Sequence, residues 1–242
     1  MRVAVISDIH SNIAALDAVL AAIGSVDAIW HLGDLVGYGP EPDAVVERMR
    51  GIGTIGVRGN HDDGVVTGDT SGFNSAGAAA AAWTRARIAA PTAEYLAALP
   101  LTLVPEGSPF TLVHGMPSEP LVLYLTTRED AAETLADVAT AHCLFGHTHV
   151  PVAFREGPGG VMKAATMTDG SRIRLGEERC VLNPGSVGQP RDGDPRAAWM
   201  VLDTDAGSVT WRRVRYAVEK TQRGILGAGL PPFLAERLAM GQ

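Results

Sequence analysis

The sequence predicts an α/β domain whose sheet begins parallel and is extended by antiparallel strands. Three observations carry this. Short β-branched runs alternate with helical apolar spacing over the first 60 residues, the order that gives a parallel sheet with right-handed crossovers. The last third changes to short strand candidates broken by turns such as Gly157-Pro-Gly-Gly160 and Thr168-Asp-Gly170, the pattern of antiparallel hairpins. The early strand candidates each end in a polar cluster, as strands do when their carboxyl ends border a cleft.

The elements follow in order. Val3 to Ile6 is a buried strand ending at Ser7-Asp8. Ile13, Leu16, Leu20 and Ile23 then recur at helical spacing, with Ser11 or Asn12 as N-cap. Asp27 to Leu32 is the second strand, and a helix from about Pro42 carries Val45, Val46 and Met49 on its apolar side. Thr54 to Val57 is the third strand, ended by Gly59-Asn60. Ser75 to Arg87 is alanine-rich and helix-prone, and a shorter helix opens at Pro91-Thr92 and stops at Pro100. Phe110 to Val113 is a strand, Thr127 to Asp130 a capping box opening a helix with Ala131, Leu135 and Val138, and residues 142–145 another strand. Later strand candidates are Val152–Phe154, Val161–Met167, Arg172–Leu175, Arg179–Leu182, Ala198–Leu202 and Ser208–Tyr216. Gly224 to Gly229 reads as a loop before a last helix, Pro232 to Met240.

At 242 residues, 46% hydrophobic and 19% charged, the chain reads as one folded domain, 1–242, with its motifs confined to 1–191 and strands and a helix in 192–242. Its formal charge of −7 disfavours non-specific nucleic-acid binding and would repel a phosphate unless bound cations reverse the sign locally. Two cysteines, Cys143 and Cys180, are too few for a disulfide scaffold, and Cys143 reads as a buried structural thiol. Met1 to Asp8 is too short for a signal-peptide core and no stretch has the length of a membrane span, so the expected location is the cytoplasm.

Five clusters carry chemistry: Asp8-Ile9-His10, Gly33-Asp34, Gly59-Asn60-His61-Asp62, His114-Gly115 and Gly146-His147-Thr148-His149. Five of the seven histidines fall in them, which scattered surface histidines would not do. Asp-x-His alone is a weak signal, whereas Gly-Asn-His-Asp and Gly-His-Thr-His are much sharper. Mixed imidazole and carboxylate donors with no cysteine suit a pair of divalent first-row ions roughly 3.5–4 Å apart, which would activate water and clamp phosphoryl oxygens. Manganese is the first expectation, and iron, zinc, cobalt and nickel also fit. His31 and His142 lie outside the clusters and read as structural, Trp199 and Trp211 as core, and Arg212, Arg213 and Arg215 as a solvated or edge-blocking strand.

In these clusters, and in Ser7-Asp-Ile-His-Ser-Asn12 and Asn183-Pro-Gly-Ser186, the sequence resembles the calcineurin-like metallophosphoesterase superfamily, and more narrowly its small bacterial phosphodiesterases. The resemblance covers Met1 to about Arg191. It implies a four-layer αββα sandwich, two mixed sheets flanked by helices, with the late hairpins taken up as the second sheet. It implies that Asp8, His10 and His149 hold one metal, that Asn60, His114 and His147 hold the other, and that Asp34 bridges them. His61 would stabilise the transition state and protonate the leaving group, with Asp62 orienting it. Asn12, Tyr38 and Arg58 are candidate substrate contacts; capping and packing stand equally for Asn12 and Tyr38, and for Arg58 a structural ion pair comes first.

The function implied is hydrolysis of a small phosphate ester, a diester before a monoester. A nucleotidase or other phosphomonoesterase and a dinucleoside polyphosphate hydrolase are alternatives. Protein Ser/Thr phosphatases carry Asp-Arg-Gly after the bridging aspartate where this chain has Gly37-Tyr38-Gly39, which puts that activity last. A non-catalytic scaffold on the same fold is the rival from another class, and the presence of His61 argues against it. Specificity is expected in residues 62–75, 115–127 and 155–178, and the oligomeric state stays open.

Overall fold

The computed structural model describes residues 1–242. Strand β1 (Arg2–Ile6) leads through α1 (Ile13–Ile23) to β2 (Ala28–His31), and α2 (Pro42–Gly51) to β3 (Ile55–Gly56). These three strands pair in parallel in the order β3-β2-β1. Helices α3 (Asn60–Thr67), α4 (Ser75–Arg85) and α5 (Ala90–Ala98) follow, then β4 (Thr102–Leu103), β5 (Phe110–Val113), α6 (Arg128–Asp137) and β6 (His142–Leu144). The last third holds β7 (Val152–Glu156), β8 (Met162–Thr166), β9 (Arg172–Arg174), β10 (Cys180–Asn183), β11 (Ala197–Asp203) and β12 (Ser208–Val214). It closes with α7 (Val218–Gly227), α8 (Pro232–Glu236) and a 3-10 turn, Arg237–Met240.

Two six-stranded mixed sheets result, ordered β3-β2-β1-β11-β12-β9 and β4-β5-β6-β10-β7-β8. The late strands do not form the second sheet by themselves. β9, β11 and β12 extend the first sheet, and β7, β8 and β10 extend the second. The reason lies in the apolar pattern of β1. It is buried on both faces and lacks a partner on one side of its ladder, and β11, apolar throughout its first four residues, fills that side antiparallel.

Alternation along β1 sets the layers. Ala4 and Ile6 pack with Leu16, Val19, Val45, Val46, Met49 and Leu96 of the helices, while Val3 and Val5 face Leu112, Leu144 and Leu182 of the other sheet. On the far face of the second sheet, Ala131 and Leu135 of α6 cover Val113, Cys143 and Val181. The order helix–sheet–sheet–helix is therefore the expected αββα sandwich. Trp199 and Trp211 are core residues, and Trp211 between the sheets satisfies its indole by donating to the Asn183 carbonyl at 2.8 Å.

Three local expectations are corrected. Residues 224–227 are helical, because Gly224 is the contact residue of α7: a Cβ there would lie 2.8 Å from Pro40 Cγ, so the glycine permits a close approach. Asn60 to Thr67 is likewise a helix, its first turn carrying Asp62 and Asp63. Strand β12 is an interior strand between β11 and β9, and Arg213 on it is buried against Asp192 rather than solvated. The Thr127–Asp130 capping box and the Asn12 N-cap are both present.

Candidate metal centre

All five clusters lie at carboxyl ends of strands, from both sheets. Asp8 and His10 follow β1, Asp34 follows β2, Asn60 and His61 follow β3, His114 follows β5, and His147 and His149 follow β6. The loops are strained in a telling way. Non-glycine residues with positive φ are Asp8, His10, Ser11, Asp34, Tyr38, His147 and His149, and five of these seven belong to the expected ligand set. Such backbone costs about 1–3 kcal/mol per residue and persists where surrounding contacts over-determine it. Here they do. Asp8, His10 and Ser11 donate backbone N–H bonds to the carbonyls of Gly33, Asp34 and Leu35 at 2.9–3.1 Å. Ser186 Oγ and the Gly188 N–H hold the Asp8 carbonyl at 2.8 and 2.9 Å, and Asn183 Nδ2 holds the Gly146 carbonyl at 2.7 Å. Asn183 to Ser186 is thus a brace under the cleft.

Two groups of buried donor atoms form, each within a 4.8 Å span: Asp8, His10, Asp34 and His149 in one, Asp34, His114 and His147 in the other. Asp34 belongs to both. Asn60 adds its Oδ1, 3.0 Å from His114 Nε2, to the second. The rings are held so that their lone pairs point inward. His10, His114 and His149 each place Nδ1 against a backbone carbonyl, of Val36 (3.1 Å), Leu32 (2.7 Å) and Gln189 (2.6 Å). A carbonyl only accepts, so Nδ1 carries the proton and Nε2 is the free donor atom. His10 Nε2 and His149 Nε2 then face one another at 3.1 Å, with Asp8 Oδ1 3.3 Å from the latter and Asp34 Oδ2 3.6 Å from the former. Converging lone pairs and carboxylates with no donor between them fit a cation. In the second group His147 Nε2 is buried without a partner, another atom suited to ligation.

The titration behaviour agrees. Burial alone would hold His114 neutral, yet without a cation Asp34 at 3.4 Å outweighs it and raises the imidazole to about 9, so that a proton sits on Nε2 where a bound ion would replace it. Burial also acts to raise the Asp34 carboxyl, but His114 and the neighbouring histidines hold it well below the usual range. His10, His147 and His149 are all lowered, chiefly by burial, which leaves their ring nitrogens neutral and free to coordinate. His61 is pushed down to about 4, chiefly by burial. It packs between Tyr38 and Phe73, at ring distances of 4.3 and 4.4 Å, and its backbone N–H donates to Asp34 Oδ1 at 2.8 Å.

The expected role of Asp62 is not formed, and Asn12 and Arg58 take the cap and the ion pair that the sequence also allowed. Asp62 does not orient His61: its two oxygens accept from the backbone N–H groups of Val36 (3.1 Å) and Gly59 (3.0 Å), while His61 Nδ1 has no partner. Asp62 is instead a strut between two ligand loops, its carboxyl raised to about 7 by burial and by Asp34. Asn12 faces the scaffold, accepting from Ala15 N–H and Thr221 Oγ1 and donating to the Gly188 carbonyl and the Tyr216 hydroxyl. Arg58 pairs with Asp63 at 3.1 Å. Of the three candidate substrate contacts only Tyr38 reaches the centre, 4.6 Å from the His10 ring and 4.3 Å from His61.

Beside the second group lies a cavity of about 230 Å³ lined by Asn60, Asp69, Phe73, Val122, Tyr124 and His147 among others. Tyr124 stacks on His147, with centroids 3.8 Å apart. The segments 62–75 and 115–127 thus border the centre as expected. Segment 155–178 runs along β7, β8 and β9, and its Ala164 to Thr166 line a second cavity of about 390 Å³ together with Thr126 and Thr148, the residue between His147 and His149. Sequence reading also missed Phe73, Tyr124 and Arg191, none of which stands in a recognisable motif of its own.

With this geometry in place, comparison with known proteins decides the family. Residues 1–207 match the model of the calcineurin-like phosphoesterase superfamily domain. The chain belongs to that superfamily. Over 99% of its length it is 35% identical to an uncharacterized protein, MJ0912, of Methanocaldococcus jannaschii, covering 98% of that protein. A metallophosphoesterase from Sphaerobacter thermophilus superposes with a TM-score of 0.90 at 40% identity, each chain covered completely. Phosphodiesterase YfcE of Escherichia coli is 27% identical over 86% of this calcineurin-like chain and 91% of its own. No helix is long and apolar enough to cross a membrane. Both cysteines are free and buried, and burial pushes the Cys143 thiol up to about 12, which fits a packing role.

Proposed function

We propose that the protein is a two-metal phosphoesterase acting on small phosphate esters, diesters before monoesters. The observation that carries it is the sharing of Asp34 by two buried donor groups, the arrangement a bridged pair of cations requires. Asp8, His10, Asp34 and His149 would hold one ion; Asp34, Asn60, His114 and His147 the other. When bound, the pair supplies Lewis acidity toward the phosphoryl oxygens and lowers the pKa of water at the centre. Manganese is the proposed occupant of a site that several first-row ions would suit.

The chain's own residues do the rest. The carbonyls of Val36, Leu32 and Gln189 fix the imidazole tautomers, so each ligand is presented ready for use. His61, clasped between Tyr38 and Phe73 and kept neutral by burial in the metal-free chain, would take up a proton once an anionic substrate lies beside it and pass that proton to the departing alkoxide. Tyr38 and Phe73 also keep water from most of its ring. The Phe73, Leu121, Val122 and Tyr124 side of the otherwise polar neighbouring cavity gives the organic group of a second ester a place to lie, which favours a diester, as does the likeness to a protein named a phosphodiesterase. The reaction is proposed to take place in the cytoplasm.

The test is metal content of the purified chain together with turnover of paired aryl phosphomonoester and phosphodiester substrates in added manganese. Close to two ions per chain with diester turnover is expected. Metal-loaded protein that cleaves neither substrate refutes the proposal and brings the scaffold reading forward.

A further inference from the structure

The loop that leaves β10 passes under the cleft and returns to it at Arg191. The backbone N–H of Arg191 donates to the His149 carbonyl at 3.4 Å, so the residue starts beside a proposed ligand. Its side chain then crosses Tyr38. The guanidinium carbon lies 5.9 Å from the ring centroid, and Nη2 is 3.4 Å from the phenol oxygen. Tyr38 in turn touches both His10 and His61.

What this guanidinium lacks is an anion. Arg58 is neutralised by Asp63, whereas Arg191 forms no ion pair, and Arg237, which faces the same tyrosine, adds a second positive charge rather than an anion. Of its five N–H donors, only those on Nη2 are engaged, by the neutral oxygens of Gln189 (3.0 Å) and Tyr38. Its Nε is buried with no partner. A half-buried cation with free donors, held in place by neutral neighbours, is set up to receive an oxyanion in the two-pronged way that guanidinium favours.

Resting on the phosphoesterase reading, we propose that Arg191 grips a non-bridging phosphoryl oxygen of the substrate, with the Tyr38 hydroxyl beside it. The ligand class of this subsite is a tetrahedral oxyanion. It places the phosphoryl oxygens on the His10–His149 flank of the centre and leaves the Asn60–His147 flank, with its cavity, to the ester group. The net charge of −7 makes such a cation the more necessary, since elsewhere the protein repels the substrate.

The experiment compares wild type with Arg191→Ala after loading with manganese. It reads metal content, thermal midpoint, affinity for inorganic phosphate by calorimetry, and the kinetics of bis(p-nitrophenyl) phosphate. Arg191→Ala is expected to keep its metals and midpoint, to bind phosphate roughly 10- to 100-fold more weakly, and to raise KM more than it lowers kcat. Added guanidinium ion is expected to restore part of the lost affinity. Arg191→Gln, which retains length and a hydrogen bond to Gln189, is judged by the same criteria if the alanine variant fails to load metal. Wild-type phosphate affinity and KM in a fully metal-loaded variant overturn the assignment and leave the phosphoesterase reading intact. A wild type that loads metal but neither binds phosphate nor cleaves an ester overturns both.

Discussion

Replacing Asp34 with asparagine is the sharpest perturbation, because one oxygen pair serves both donor groups. Asparagine keeps the volume and can still accept from the His61 N–H, so the backbone of the two loops has no reason to move. What goes is one negative charge between His10 at 3.6 Å and His114 at 3.4 Å. Without metal, two effects oppose. The attraction that raises His114 to about 9 is lost, but the repulsion that Asp34 exerts on Asp8 and Asp62 is relieved, so a small net change in stability is expected. With metal the two proteins separate. A ligand at 100 times its dissociation constant stabilises by about 2.7 kcal/mol per site, hence about 5 kcal/mol for two. In a domain of this length each kcal/mol moves Tm by roughly 2–4 °C, giving a manganese-induced rise of about 10–20 °C in the wild type. Asp34→Asn is expected to show little of it. Thermal unfolding of both proteins in chelator and in saturating manganese is the assay, with metal content alongside. A variant that keeps the full shift and two ions would refute the bridging role.

Other consequences are open to direct measurement. His61→Ala should retain its metals and lose about 10²- to 10⁴-fold in kcat, as read by steady-state kinetics and metal analysis; full activity would remove His61 from the chemistry. Gly59→Ala would put a Cβ 2.1 Å from Asp34 Oδ1 and 2.3 Å from its backbone nitrogen, so a loss of about 3 kcal/mol in urea unfolding and impaired metal uptake are expected. His31 is buried with neither ring nitrogen paired, and burial pushes it down to about 4 from 6.5. Above pH 6.5 it is neutral folded and unfolded; below, only the unfolded chain takes the proton, so the wild type loses up to ~3 kcal/mol between pH 6.5 and 4. His31→Gln should lack that share of the pH dependence, and identical urea midpoints against pH in the two proteins would show that His31 is not the group responsible.

How much of this was legible in the sequence depended on whether a residue's neighbours in the chain were also its neighbours in space. Asp8-x-His10 and His147-x-His149 announce themselves because one loop presents both members, and short β-branched runs mark the strands that carry them. The layering was legible only through family likeness. Nothing local in Ala197 to Asp203 says that it will sit beside β1, and the division of the late strands between two sheets is a matter of long-range pairing. Gly224 misled because a glycine that breaks a helix and one that lets a helix approach Pro40 look alike in a string. Asp62 misled for a related reason. Adjacent to His61 in sequence, it points into the helix start and the Val36 loop, since successive residues of a helix do not face one another. Arg191 was passed over because its significance lies in the absence of an acidic partner, which no linear pattern records.

The brace beneath the centre has a bearing on the order in which the protein comes into being. Asp8 and His10 are made well before the groups that lock the Asp8 carbonyl, Ser186 and Gly188, which arrive nearly 180 residues later, and β11, which flanks β1, comes later still. During synthesis the early donors emerge on a strand with one open edge, and of the contacts that hold their left-handed backbone only those to Gly33, Asp34 and Leu35 are soon at hand. All seven donors are out by His149, yet the cleft is not closed. Metal capture in the arrangement proposed would thereby wait until β10, the loop after it and β11 have been made, and a product ended before them would carry the donors without the centre.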